Sequence, residues 1–404
     1  MNTNLSPQLR NLVTHSLTHS TGINSRLNPD ELSAIRLRSQ MLPMIESIAT
    51  GTPDHTIRQS DAAKLVANLP TLEQNRSRIE KLYDNTRIDT RHLAVNLLSE
   101  ETIAFSKQRA TLQTRMQLYK ENAVPLAEKV VRQALGSVNA ANIQESLKLI
   151  VFVSSTGFIA PGVDTELIKR LGLRRDIARV TVNFMGCAAA MNGLRVACDH
   201  VRANPTYRAL VVCLELSSIN AVFEDEINDV IIHSIFGDGC AAVVVGACEA
   251  EQAVASNKVV IRDHFSYLVE GTEDGITLGV RDNGITCQLS RQLPDYIEMG
   301  LGPIIERFLC SHCLTKEGID LWAVHPGGTR IIEKSQRSLG LSDSQVADSW
   351  EILRQYGNML SSSVLFVMER MLLRYESNTS ARFTGLAFSF SPGVGIEGLL
   401  FQKL

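Results

Sequence analysis

A chain of 404 residues, 44% of them hydrophobic, can bury a large core built from two half-domains that share one interface. A formal charge of −3 and a pI near 6.3 give no global basic field to recruit nucleic acid or an anionic membrane, so an anionic ligand needs a local patch. Eight cysteines, mostly in apolar runs (Cys198, Cys213, Cys240, Cys248), read as reduced core residues of a cytoplasmic protein rather than as a disulfide framework.

Residues 1–40 are rich in Ser, Thr and Asn, carry no acidic side chain before Asp30, and read as a flexible extension. Organellar transit peptides share such a composition, but amphipathicity is weak and Arg10 and Arg26 are the only early basic residues. His15 and His19 lie four apart and read as solvated rather than as metal ligands.

From Met41 onward, buried strands alternate with helices. "LKLIVFVSST" (147–156), "ARVTVNFMG" (178–186), "RALVVCLEL" (208–216) and "GCAAVVVGA" (239–247) are short β-branched runs separated by helical stretches. None is long enough to span a bilayer. A second series follows: "VVIRDHF", a long helix around "LPDYIEMGLGPIIERFL", "IDLWAVHPGG", further helices, and the closing strands "FTGLAFSF" and "IEGLLFQ". The pattern implies a layered α/β fold with a first half over residues 41–254 and a related second half over 255–404. No short repeat marks a solenoid.

Cys187 follows a strand-like run and Gly186 and stands at the start of a helix, where free N–H groups favour thiolate over thiol. Alone it reads more readily as a core cysteine, so partners are needed. His325 ends the apolar run "WAVH" before a Gly-Gly turn, and Asn358 precedes the apolar stretch "LSSSVLFVM". Together the three offer a thiolate, its ion-pair partner and a neutral donor for an enolate or thioester oxygen.

In that order, "SSTGFIAPGVD", "GCAAAMNGLRVACD", "FGDGCAAVVVG", "AVHPGG", "YGNM" and "FSFSPGVGIEGLLF" resemble the type III polyketide synthases, chalcone and stilbene synthase-like condensing enzymes with a five-layered αβαβα thiolase fold. The resemblance covers about residues 41–404. It implies that Cys187 carries the acyl group while His325 and Asn358 hold the thioester oxygen as malonyl-CoA loses carbon dioxide, with no metal and no cofactor beyond the CoA substrates. It further implies a homodimer, fed by an acyl-CoA or acyl carrier protein.

For the CoA end, the stretch "NRSRIEKLYDNTRIDTRHL" places Arg78 and Lys81 at the family's basic positions, while Asn85 stands where Lys is common; Gly327 and Gly328 complete that side. Phe236 matches an aromatic gatekeeper, and Cys287 replaces the second ring. Leu360 stands where small or polar residues are frequent, and Ala160 where plant enzymes carry Met. Ser155, Ser217, Asn220, Phe390 and Pro392 match other cavity positions. These departures imply a greasy channel suited to a medium or long fatty acyl starter and to alkylresorcinol or alkylpyrone-type products.

A single-condensation ketoacyl-carrier-protein synthase shares the Cys, His and Asn set and stays open, as does an inactive thiolase-fold partner subunit. Hydroxymethylglutaryl-CoA synthase needs an acidic base near its cysteine, for which no motif is evident. Cys310 and Cys313 form a Cys-x-x-Cys with no second ligand pair, and His92 and His233 read as structural. The "GFIAPG" and "SPGVG" loops lack the strand–helix context of a dinucleotide site.

Overall fold

The computed structural model describes residues 41–69, 72, 76–96, 110–138, 143–221, 227–256, 258–376 and 382–404. The expected N-terminal extension lies outside these residues. In chain order, β1 (Met41–Gly51) and β2 (His55–Arg58) lead into α1 (Gln59–Ala67) and α2 (Arg76–Asp84); then come β3 (Thr90–Leu93), α3 (Leu112–Gly136) and β4 (Leu147–Ser154). The segments α4 (Val163–Arg170), β5 (Ala178–Asn183), α5 (Ala189–Ala203), β6 (Arg208–Leu216), α6 (Ile227–Ile235) and β7 (Asp238–Glu249) complete the first series. The second comprises β8 (Val259–Leu268), the hairpin β9 (Ile276–Arg281) and β10 (Gly284–Leu289), α7 (Leu293–Ser311), β11 (Leu321–Val324), α8 (Thr329–Leu339), α9 (Ala347–Tyr356), α10 (Ser363–Glu376), β12 (Phe383–Ser391) and β13 (Gly395–Lys403).

Nine strands form one sheet in the order β11-β12-β13-β8-β1-β7-β6-β4-β5. Side-chain alternation along these strands builds five layers. In the first half, Val151, Val153, Val211, Cys213, Val243 and Val245 point to one side and meet α5 and α10. Ile150, Phe152, Leu210, Val212 and Val244 point to the other and meet α3 and α4. The second half repeats the device: Ala323, Ala387, Leu399 and Phe401 join the same central cluster, and Trp322, Val324, Leu386, Phe388 and Leu400 cover α7 and α8. Helices α5 and α10 therefore lie between two sheet halves, with α3 and α4 outside one and α7 and α8 outside the other.

One strand departs from its expected environment. "ARVTVN" was expected to be buried, yet β5 is the last strand of the sheet and Ala178–Thr181 are exposed, Val180 by 37%. Pairing only with β4 leaves its other edge without a neighbour among the described residues. No helix among the described residues is long and apolar enough to cross a membrane.

Candidate active site

Both central helices begin at one cavity, which is how residues far apart in sequence come together. Cys187 lies in a short 3-10 turn, Gly186–Ala188, directly before α5. The turn needs glycine at 186: its φ is +57°, and a Cβ there would stand 3.3 Å from the Pro392 ring. Asn358 and Leu360 lie just before α10, after Gly357, whose φ is +70° and whose added Cβ would fall 2.6 Å from the Ile235 carbonyl oxygen. His325 extends β11 by one residue, its N–H donating to Phe388 O at 3.1 Å. Because Ala323 faces the central layer, strand alternation turns His325 to that side too.

Asn358 Nδ2 stands 3.9 Å from Cys187 Sγ and donates to Gly327 O at 3.2 Å, while its Oδ1 accepts from Leu360 N at 2.8 Å. Its Oδ1 lies 4.0 Å from the same sulfur, so the amide is fixed side-on to the thiol with both ends in reach of it. Its capping of the following turn and its place in the cavity are two uses of one side chain. His325 is 1% exposed, and neither ring nitrogen has a hydrogen-bond partner among the described residues. Burial pushes its imidazole down to about 3, so the ring is neutral.

Burial also pushes the Cys187 thiol up, with Cys287 and Glu215 adding to the rise and Asn358 opposing it. The expectation of a thiolate stabilised merely by a helix start therefore needs amending. In the substrate-free cavity neither a lone thiolate nor a lone imidazolium is favoured, since each would be a buried charge. Transfer of one proton from Sγ to the ring would make both charges at once, and their mutual attraction is available only to the pair.

The remaining wall is apolar. Phe236, Ile276, Leu278, Cys287, Leu289, Leu293, Ile297, Ile331, Leu360 and Phe390 join Gly186, Cys187, His325, Gly327 and Asn358 around about 50 Å³. That is room for roughly two waters. Phe236, Cys287, Leu360 and Phe390 thus line the space with the reacting groups. The other expected cavity residues do not. Ser155 accepts from Gly186 N at 3.1 Å and so fixes the turn carrying Cys187. Asn220 donates to Thr156 O at 2.6 Å and accepts from Ile285 N at 3.2 Å, tying the hairpin down; Ser217 Oγ is buried with no partner among the described residues, and Pro392 abuts Gly186. Ala160 lines a separate groove of about 850 Å³ beside β5, with Phe158, Pro161, Asp164 and Arg179. Within one chain Ala160 therefore stays apart from the space around Cys187, because the groove is on the β5 side, while the Met that the resemblance puts at this position would extend across a dimer interface.

A second cavity of about 240 Å³ adjoins the first, sharing Leu289, Leu293, Gly327 and Ile331. Of the residues expected at the CoA end, Asn85, Gly327 and Gly328 line it and Arg78 and Lys81 do not. Leu82 and Asn85 are the lining residues contributed by α2 and the turn after it. Arg78 lies on their helix face one turn back, and Lys81 is rotated off it.

Sequence reasoning missed Glu215. This carboxylate, 0% exposed, accepts from Ser155 N at 2.9 Å, Thr156 Oγ1 at 2.8 Å and Ser361 Oγ at 2.5 Å. Burial pushes it up to about 7 against those hydrogen bonds. The available signal was a single acid within "RALVVCLEL", a run otherwise fit for burial on both faces. Arg91 was missed as well: fully buried, it donates to Phe236 O at 2.9 Å and Gln59 Oε1 at 2.9 Å, holding the backbone of the cavity's aromatic wall. The cysteines divide unevenly. Cys198, Cys213, Cys240 and Cys248 are buried as expected, but Cys310 and Cys313 are exposed, because they close α7 at the surface. No cluster of three or more His, Cys, Asp or Glu among the described residues could hold a metal.

An apolar five-layer core that delivers a cysteine, a histidine and an asparagine to one cavity defines a thiolase-like condensing enzyme. Residues 31–249 match the family described as chalcone and stilbene synthases, N-terminal domain, and residues 262–404 match its C-terminal domain; the chain belongs to this family and is a type III polyketide synthase, an acyltransferase. It is 52% identical over 361 residues, 89% of this chain and 91% of the relative, to the alpha-pyrone synthesis polyketide synthase-like Pks18 of Mycobacterium tuberculosis. Among solved structures, PKS-I from the brown alga Ectocarpus siliculosus superposes with a TM-score of 0.86 at 43% identity, covering 90% of this chain and 99% of that one. The C-terminal type III polyketide synthase domain of Steely1 from Dictyostelium gives 0.80 at 26% identity, with the same coverage of 90% and 99%.

Proposed function

We propose that this polyketide synthase loads an aliphatic acyl group from a CoA thioester onto Cys187, extends it with malonyl-CoA, and closes the chain to an alkyl-α-pyrone or a related alkylated ring. The observation that carries the reading is the makeup of the cavity: three polar groups able to do the chemistry, and an otherwise apolar wall with Cys287 and Leu360 in it. An aliphatic chain entering such a wall gains about 0.8 kcal/mol per buried methylene. The chain has to displace lining side chains, since the resting cavity is small. The likeness to a relative named for alpha-pyrone synthesis favours the pyrone over the resorcinol.

In this reading neutral His325 takes the Cys187 proton as Sγ attacks the starter thioester carbonyl, and CoA thiolate leaves and is reprotonated. Malonyl-CoA then loses carbon dioxide, and the enolate oxygen is held by Asn358 Nδ2 and a His325 ring N–H. The enolate carbon attacks the acyl group on Cys187, forming the carbon–carbon bond and releasing Sγ for the next round. A neutral amide at 358 donates without the repulsion a carboxylate would exert on the enolate. Two copies joined across the free edge of β5 would also cover exposed Phe158 and Val180, in keeping with a homodimer.

The test is kcat/KM for acyl-CoAs of increasing length against a hydroxycinnamoyl-CoA, with malonyl-CoA and mass spectrometry of the products. Preference for aliphatic starters with two or more extensions bears the reading out. A preferred hydroxycinnamoyl substrate sinks the aliphatic starter, and a product stopped at one extension points to a ketoacyl synthase.

A further inference from the structure

The cavity next to the reacting one contains Leu82, Thr86, Ile88, Leu289 and Pro294 among its walls, and one charged side chain, Arg330. Arg330 is exposed and forms no ion pair among the described residues. Its neighbours are committed: Arg87 pairs with Glu333 at 3.3 Å and lies over the Trp350 ring at 4.6 Å, Lys334 bonds Asp295 at 2.9 Å, and Arg337 reaches Glu298 at 3.4 Å. The nearby acid, Asp295, is held low chiefly by Lys334, with Arg330 only the last of its contributors.

The base of Arg330 is fixed on both sides. Gly328 precedes α8 with φ +143°, and Thr329 Oγ1 donates to Thr86 O at 2.9 Å, which ties the start of α8 to the turn after α2. The backbone carrying Arg330 is therefore anchored beside Asn85, while among the described residues its guanidinium forms no ion pair with a carboxylate.

We propose that Arg330 binds the phosphates of the CoA thioester as its pantetheine arm passes through this cavity toward Cys187. The assignment rests on the reading above that the substrate is a CoA thioester. A guanidinium offers a planar fork of donors matched to phosphate oxygens and stays charged at every working pH. The small apolar wall between Arg330 and Cys187, with Asn85, Ser290 and Thr86 interspersed, suits a thin, uncharged arm carrying two amides. The family's basic positions on α2, Arg78 and Lys81, lie outside this lining, and Arg330 is the cation within it.

The experiment gives one acyl group on three carriers: CoA, 4′-phosphopantetheine and N-acetylcysteamine, the last with no phosphate. With Arg330→Ala, kcat/KM for the CoA thioester is expected to fall about five- to tenfold, chiefly through KM, and Arg330→Lys to recover part of it. The N-acetylcysteamine thioester should change by less than about twofold. A loss confined to CoA places Arg330 on its 3′-phosphate or diphosphate beyond the arm; an equal loss on 4′-phosphopantetheine places it on the proximal phosphate. Equal loss on all three carriers, or no loss on CoA, overturns the proposal. If the parent protein turns over none of them, it is the CoA-thioester reading itself that fails.

Discussion

The two adjoining cavities use polar groups in opposite ways. Around Cys187, the polar groups are few and neutral: a half-buried thiol, a buried imidazole whose two nitrogens have no partner among the described residues, and a buried amide. Around Arg330 the charge is exposed and its field is shared with solvent. Loss of a group from the first leaves a developing oxyanion without a donor in a dry site, whereas loss from the second removes an attraction that water already weakens. The largest effects should therefore cluster at the turns before α5 and α10 and at the end of β11, and fade toward the mouth.

The sharpest contrast comes from the reacting groups. Cys187→Ala should abolish acyl loading, measured as loss of the covalent acyl adduct by intact-protein mass spectrometry. His325→Ala and Asn358→Ala should each slow condensation and malonyl-CoA decarboxylation by about 100- to 1000-fold. Near-normal decarboxylation in the Asn358 variant would remove that amide from the chemistry and leave it only a turn cap.

Next in size is the apolar wall. Cys287→Phe should shorten the preferred acyl chain and lower kcat/KM for the longest starters by about ten- to a hundredfold, since a few methylenes lose their burial. An unchanged chain-length profile would place the acyl chain elsewhere.

Thiol reactivity sharpens the comparison further. Cys310 and Cys313 are exposed and should react first with iodoacetamide, so they are replaced by Ser before the rates are compared. Half-buried Cys187 should then label ahead of fully buried Cys198, Cys213 and Cys240, and His325→Ala should slow it severalfold if the ring takes the thiol proton. Labelling at Cys187 no faster than at the buried three would break the pairing of Sγ with the imidazole.

The effect furthest from the chemistry concerns Glu215, beneath the turn that holds Cys187. Its carboxyl ordinarily titrates near 4.5 and is raised to about 7 in the fold. Between those values the folded chain keeps a proton that the unfolded chain releases, so stability falls as pH rises from about 4.5 to 7 and then levels. Glu215→Gln should flatten that part of the profile by up to about 3 kcal/mol, read from denaturant midpoints at pH 5 and pH 8. Asp238, raised to about 6 by burial, leaves a residual slope of the same sign. A variant slope equal to the parent's would mean that Glu215 is already ionised across the window.

Particular residues show how far local pattern reaches. Runs such as "LKLIVFVSS" and "FTGLAFSF" read as strands because neighbours within a few positions determine backbone preference and side-chain alternation. The same short-range logic set Cys187, His325 and Asn358 at element junctions, and the ordered motifs tied them to one family. Local pattern could not place β5 at a sheet edge, since "ARVTVN" has the same composition whether one neighbour or two flank it. Nor could it separate Phe236, Cys287, Leu360 and Phe390, which line the cavity, from Ser155, Asn220 and Pro392, which hold its frame, or from Ala160 in another groove.

By itself, then, the sequence determined the layered α/β class, the reacting trio and the apolar substitutions near it, all carried by residue type and short spacing. Tertiary structure alone decided that the turns before α5 and α10 meet, bringing Asn358 Nδ2 to 3.9 Å from a sulfur 171 positions earlier in the chain. It also decided the neutral state of His325, the raised carboxyl of Glu215 and the isolation of Arg330 at the mouth. Those properties depend on which surfaces leave water and which charges end up adjacent, and both are set by long-range packing of layers rather than by any neighbour along the chain.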